Sequence, residues 1–247
     1  MYLPTTRAFD ILLPASKGRL IVFTDKSSTD LEPIVRNIDS ILLWLGTPSK
    51  FTVHLWLQHW PRIIKANEWP TRLNINGGFA TPGMSEVFVY REEEYDRVII
   101  HEIIHAMKWD WKMKEVPLPC WGVRGRLMPH LFEAWTELYA EWLWCGWNNV
   151  SWEVQMRWQQ LQATQLLARK SVHWSEDTNI FAYYILKAAL APHISFLWLF
   201  GNGSLESERL YILCNLVTHN LNTLRSFASN ISPCDLSLRM TINIAQK

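Results

Sequence analysis

Residues 92–109, EEEYDRVIIHEIIHAMKW, decide how the rest of the chain is read. Three leading glutamates favour a helix N-terminus through its dipole, and the apolar residues that follow occupy nearly the whole circumference of a helix. At the centre of that apolar run stand His101, Glu102 and His105. Three ionisable groups without partners in an apolar interior are costly. Either they satisfy one another, or a charged species sits between them.

On both sides of this segment the pattern is regular. RLIVFTD (19–25) and FTVHLWLQ (51–58) read as strands. Between them, TDLEPIVRNIDSILLWLG (29–46) repeats apolar residues at helical spacing (Leu31, Ile34, Val35, Ile38, Ile41, Leu42, Leu45) and stops at Gly46. RLNINGGFAT (72–81) and EVFVYR (86–91) read as two further strands joined through TPGMS, whose Pro-Gly pair is turn chemistry. Downstream the chain is mainly helical: PHLFEAWTELYAEWLW (129–144), SWEVQMRWQQLQATQLLARK (151–170), 177–200, and SLESERLYILCNLVTHNLNTLRSFAS (204–229). The tail DLSLRMTINIA (235–245) returns as a strand. KEVPLPCWGVRGRLMPH (114–130), rich in Pro and Gly, is a loop and a candidate lid. Strands first and helices after indicate an α+β protein. We expect a single domain over 1–247: a small mixed sheet with the active-site helix over 1–113, then a mainly helical lobe over 114–247.

Bulk composition excludes several classes. A formal net charge of +1 in 247 residues provides no field for nucleic acid or an anionic membrane surface. With 49% hydrophobic residues there is ample material for a core. Cys120, Cys145, Cys214 and Cys234 form no C-x-x-C pair, which points to free thiols in a reducing compartment. The N-terminus, interrupted by Arg7 and Asp10, is not a classical secretion signal, so a cytoplasmic location is expected. IFAYYILKAALAPHISFLWLF (180–200) is long enough to span a bilayer, but Lys187, Pro192 and His193 fall inside it. We read it as a buried helix that breaks at Pro192; a membrane-associated protein anchored by 180–200 is the alternative.

His101 and His105, four residues apart, lie one turn apart on one helix face and can reach a single zinc ion at about 2.0–2.1 Å. Glu102, roughly 100° further round, stands beside that ion, placed to take a proton from an activated water and pass it to a leaving amine. This is the H-E-x-x-H arrangement. A pair of core histidines hydrogen-bonded to backbone or to Glu102 is the bland reading. Zinc with an open position needs a third protein ligand. A third histidine at H-E-x-x-H-x-x-G-x-x-H is excluded, because Lys108 and Trp111 occupy those positions. A glutamate from a later helix remains: Glu133, Glu137 and Glu141 are spaced i, i+4, i+8 among Phe132, Trp135, Leu138, Tyr139 and Trp142. Glu133 is our expected ligand, Glu137 the acceptor for a ligand histidine's outer N–H, and Glu141 an outer or exposed group. The trio also reads as the polar stripe of an amphipathic helix. His130 is a weaker ligand candidate.

VIIHEIIHAM (98–107) and EAWTE (133–137), an E-x-x-x-E on a second helix, resemble the gluzincin group of zinc metallopeptidases. NINGGF (74–79), VFVYREEEYDRVIIHEIIHAM (87–107), FEAWTELYAEW (132–142) and NIFAYYILKA (179–188) together also resemble small metallopeptidases encoded by large DNA viruses. The resemblance implies a zincin-like fold, one zinc per chain and a peptide or protein substrate. It also implies a substrate-pairing edge strand, a role falling on Asn76, Gly77, Gly78 and Phe79, with the glycines allowing close approach by a peptide; a plain Asn-Gly turn is the other reading. An oxyanion donor is implied as well, with Tyr183, Tyr184 and His173 as candidates and Tyr184 foremost. Arg239 is read as a structural ion-pair partner before a carboxylate binder. The different-class alternative is a catalytically inactive zincin scaffold serving as an interaction protein.

Overall fold

Period-two alternation builds the sheet. The computed structural model describes residues 6–25, 30–110, 131–169, 178–194 and 207–242. In it, β1 (Arg7–Leu12), β2 (Arg19–Thr24), β3 (Thr52–Trp56), β5 (Gly78–Ala80) and β6 (Glu86–Val89) form a mixed sheet of order β1-β2-β3-β6-β5. β2, β3 and β6 run parallel, while β1 and β5 are antiparallel edges. Leu20, Val22, Val53, Leu55, Val87 and Val89 point to one face and are fully buried. The same unit buries Ile38, Ile41 and Leu42 of α1 (Glu32–Trp44) and Val98, Ile99 and Ile103 of α3 (Tyr95–Ala106).

The opposite face carries aromatic rings paired across strands. Phe23 stacks on Trp56 at 4.5 Å, His54 on Phe88 at 4.3 Å and Phe88 on Phe79 at 4.7 Å between centroids. Each pair is in register across its ladder. Such pairs contribute roughly 0.2–1 kcal/mol apiece, and they hold β5, only three residues long, against slippage.

RLNINGGFAT is not one strand, contrary to expectation. Arg72–Ile75 forms a helical turn, α2, and the strand begins only at Gly78. The Asn74 side chain accepts from the Thr71 N–H (3.0 Å) and hydroxyl (2.9 Å), a local cap that competes successfully with the extended state.

The chain divides into two compact units, Met1–Pro61 with Gly77–Lys108, and Arg62–Asn76 with Trp109–Lys247. The second is helical: α4 (Leu131–Asn148), α5 (Trp152–Ala168), a π-helical stretch Phe181–Leu186 running into α6 (Lys187–Leu190), and α7 (Ser207–Ala228). A two-stranded ribbon, β4 (Ile63–Ile64) against β7 (Leu236–Ser237), completes it. Its core gathers Ala134, Leu138, Ala163, Leu166, Ile185 and Val217.

Pro192 sits in a 3-10 turn, Ala191–His193, that closes α6, in keeping with its inability to continue a helix. Residues 195–200, the candidate lid 114–130, Cys120, His130 and His173 lie outside the described residues. Among the described residues, no helix is long and apolar enough to cross a membrane.

Candidate metal centre

α3 is buried nearly all round, which is why its polar residues matter. Val98, Ile99, Ile100, Ile103 and Ile104 are at most 2% exposed, and His101 and Glu102 are 6% exposed. Glu94, in the left-handed conformation (φ 59°), precedes the helix and its carbonyl accepts the first helical bond, from Val98 N–H at 3.0 Å. The first-turn acid is Asp96; the glutamates of 92–94 precede the helix. At the other end Lys108 (φ 58°) leaves the helix, and Gly83 N–H donates to the Ala106 carbonyl at 2.8 Å. The C-terminal end of the helix is therefore tied to its own unit.

His101 Nε2 and His105 Nε2 are 3.0 Å apart, with the rings inclined at 78°. Two ligands at about 2.05 Å from one ion stand about 3.3 Å apart at the tetrahedral angle. The pair thus needs only a few tenths of an ångström to hold a metal. Without one, the same distance lets two neutral rings share a hydrogen. The chemistry of the donors, two imidazoles with an adjacent buried carboxylate, suits zinc.

β5 lies directly over this turn of α3. A Cβ added at Gly78 would fall 2.7 Å from the Phe88 carbonyl oxygen, 2.8 Å from Val98 Cγ1 and 3.1 Å from Glu102 Cγ. The close approach that Gly78 permits is therefore to the protein's own helix. Gly77 O accepts from Tyr90 N–H at 2.9 Å, and Asn76 Oδ1 accepts from the Thr178 hydroxyl at 2.9 Å, so Asn76 belongs to the second unit's hydrogen bonding. Phe79 is 54% exposed at the edge of the sheet.

In the second unit, Glu133 lies in the first turn of α4 and is half-buried, while Glu137 one turn on is 2% exposed. Glu141 is a correction. Far from being exposed, it is fully buried, ion-paired with Lys187 Nζ and bonded by Gln155 Nε2 (2.7 Å) and Gln159 Nε2. Lys187, the charge that interrupts the apolar run 180–200, is explained by that pairing. Tyr184 is a second correction: its hydroxyl donates to Leu238 O at 2.7 Å in the core, where it holds the C-terminal segment. The Arg239 carbonyl accepts from Trp158 Nε1 at 3.0 Å.

Sequence reading missed the amides of α5. Gln155, Gln159 and Gln162 are fully buried, and Gln162 Nε2 donates to the carbonyls of Ser237 (2.9 Å) and Arg239 (2.5 Å). Their i, i+4, i+7 spacing was the available signal: a stripe of one amide type on one helix face. Cys145, next to this cluster, has its thiol pKa pushed up to about 12 by burial and by the charge of Glu141. It is no thiolate nucleophile at neutral pH.

No protein-family model matches the chain, and neither a curated protein nor a solved structure is detectably similar to it.

Proposed function

We propose that the chain is a zinc-dependent peptidase with a zincin-like fold, hydrolysing a peptide or protein substrate. The observation that carries the reading is the pair of imidazole Nε2 atoms 3.0 Å apart on a buried helix, with Glu102 between them in sequence and as buried as His101. In this reading His101, His105 and Glu133 hold one zinc per chain, and Glu137 accepts from a ligand histidine's outer N–H. Bound zinc supplies Lewis acidity, polarising the scissile carbonyl and acidifying a water.

The chain's own residues supply the proton handling and the substrate path. Glu102 takes a proton from the attacking water as its oxygen bonds to the carbonyl carbon. The carboxyl group then returns that proton to the nitrogen as the C–N bond breaks. Burial among isoleucines excludes competing water from that carboxylate. β5 is the sheet edge beside this turn, and among the described residues its strand neighbour is β6 alone. An extended peptide can pair with its outer side. Phe79, exposed at that edge, contributes apolar contact.

Zinc content after dialysis, together with cleavage of a mixed peptide library, tests the reading. The native chain should hold about one zinc. Glu102→Gln should keep the metal and lose at least about 100-fold in cleavage rate, whereas Glu133→Ala should lose the metal. A folded native chain that retains no zinc would make His101 and His105 a structural pair and end the peptidase reading.

A further inference from the structure

Glu141 lies eight residues beyond Glu133 on α4, and its carboxylate is enclosed by three donors. Lys187 from the start of α6 pairs with one oxygen, and Gln155 and Gln159 from α5 bond the other. Gln155 is itself held twice more, donating to Met240 O at 2.7 Å and accepting from Ile242 N–H at 3.0 Å. Glu141, Gln155, Gln159 and Lys187 are all 0% exposed. A cluster this polar is a poor way to gain stability, because an apolar replacement of a buried ion pair is usually neutral or better. It is a good way to hold an orientation.

We propose that this buried cluster is a positioning device for the metal site, in which the Glu141–Lys187 pair with Gln155 and Gln159 sets the roll of α4 and so presents Glu133. The inference rests on the peptidase reading, which makes Glu133 a ligand. On the same helix Thr136, also buried, donates to Asp110 Oδ2 at 3.2 Å, whereas the apolar contacts of Ala134, Leu138 and Ala140 tolerate rotation. Directional bonds to a carboxylate do not. Glu141 sits about 12 Å along the helix axis from Glu133 and about 80° round it. A roll of about 20° carries a carboxylate at the outer radius of a helix, about 5–6 Å, through about 2 Å. Ligand distances tolerate about 0.2 Å, so a roll of that size withdraws the ligand. Lys187 and Glu141 are thus positioning residues, acting through Glu133 without touching metal or substrate.

The test uses the double variant Glu141→Met/Lys187→Met in the full chain, which removes both charges at nearly constant volume. Zinc affinity is measured by competition with a chromophoric chelator, and the visible spectrum of bound Co2+ reports the ligand set. We expect a melting temperature close to native, zinc binding about 10–100-fold weaker, and altered Co2+ bands, which mere destabilisation would leave unchanged. Glu133→Ala should cost the native chain a large factor and the double variant little more, since the ligand is already displaced. Gln159→Met, which removes one donor and no charge, covers the case in which the double variant does not fold. It should weaken zinc several-fold with the same spectral change. Native affinity and native Co2+ bands in either folded variant overturn the positioning role while leaving the peptidase reading standing. A native chain without zinc, or one indifferent to Glu133→Ala, overturns the role together with the ligand assignment beneath it.

Discussion

Replacing Gly78 by alanine tests whether the edge strand rests on the helix that carries His101, Glu102 and His105. The backbone at Gly78 is not in the left-handed region, so the cost of a methyl there is steric alone. The new Cβ would stand 2.7 Å from the Phe88 carbonyl oxygen and 2.8 Å from Val98 Cγ1. Ordinary contact begins near 3.4 Å, so β5 must lift by more than half an ångström or push β6 and α3 apart. Neither neighbour yields cheaply: Phe88 O belongs to the β6 backbone, and Val98 is 2% exposed. Overpacking of this kind costs about 1–3 kcal/mol, offset by about 0.4–1 kcal/mol from the stiffer unfolded chain. The net loss is about 1–2 kcal/mol, a fall of roughly 5–15 °C in Tm for a unit of this size. Thermal melts followed by circular dichroism measure it. Gly146→Ala is the control: it lies in the last turn of α4 with nothing within 4 Å of its new Cβ, and should be neutral or stabilise by up to about 0.5 kcal/mol. If Gly78→Ala melts at or above the native temperature, β5 does not sit on α3 as described.

Three further outcomes follow from buried groups. Lys187→Met alone leaves the Glu141 carboxylate buried without its cation and should cost about 3–5 kcal/mol in urea unfolding; a loss under 1 kcal/mol would show that the pair is not buried. Cys145, its thiol pushed up to about 12, should resist iodoacetamide at pH 8 in the folded chain, while exposed Cys234 is alkylated; peptide mass spectrometry reads both, and early labelling of Cys145 contradicts its burial. At Asp39, burial opposes the charge, but bonds from Ser16 and the Ala15 N–H outweigh it and lower the pKa. The Ala15 and Ser16 N–H bonds measure 2.9 and 2.7 Å. Since the folded pKa lies below the unfolded one, this stabilisation is complete above about pH 4 and disappears as pH falls through the folded value. Asp39→Ala should therefore cost about 2–3 kcal/mol at pH 7, and the gap should narrow below pH 4. A gap independent of pH would remove the charge from the argument.

What could be read from the residues divides along the range of the interactions involved. α1 and β2, β3 and β6 were legible because a burial pattern of period 3.6 or 2 is written within each segment; α5 carries no such pattern, since four of its seven buried residues are glutamines. β1 was not, since five of its six residues are exposed and no alternation marks an edge strand that faces water. Of the ribbon, the tail was expected as a strand over 235–245 and pairs only at Leu236–Ser237; its partner Ile63–Ile64, more than 170 residues away, is too short to carry a period. α2 failed for a local reason: RLNI alternates like a strand, yet Thr71 and Asn74 cap each other. The site divides in the same way. His101, Glu102 and His105 declare themselves because all three lie within five residues of one helix. Glu141 misled because its charge partner is 46 residues away, inside a segment whose apolar run suggested a membrane. The two anomalies, a glutamate among aromatics and a lysine in a greasy helix, are the two halves of one buried pair. Each taken alone points to the wrong environment. A charge that fits neither surface nor core by itself is therefore best read as a search for its opposite elsewhere in the chain, and here that search ends at Lys187.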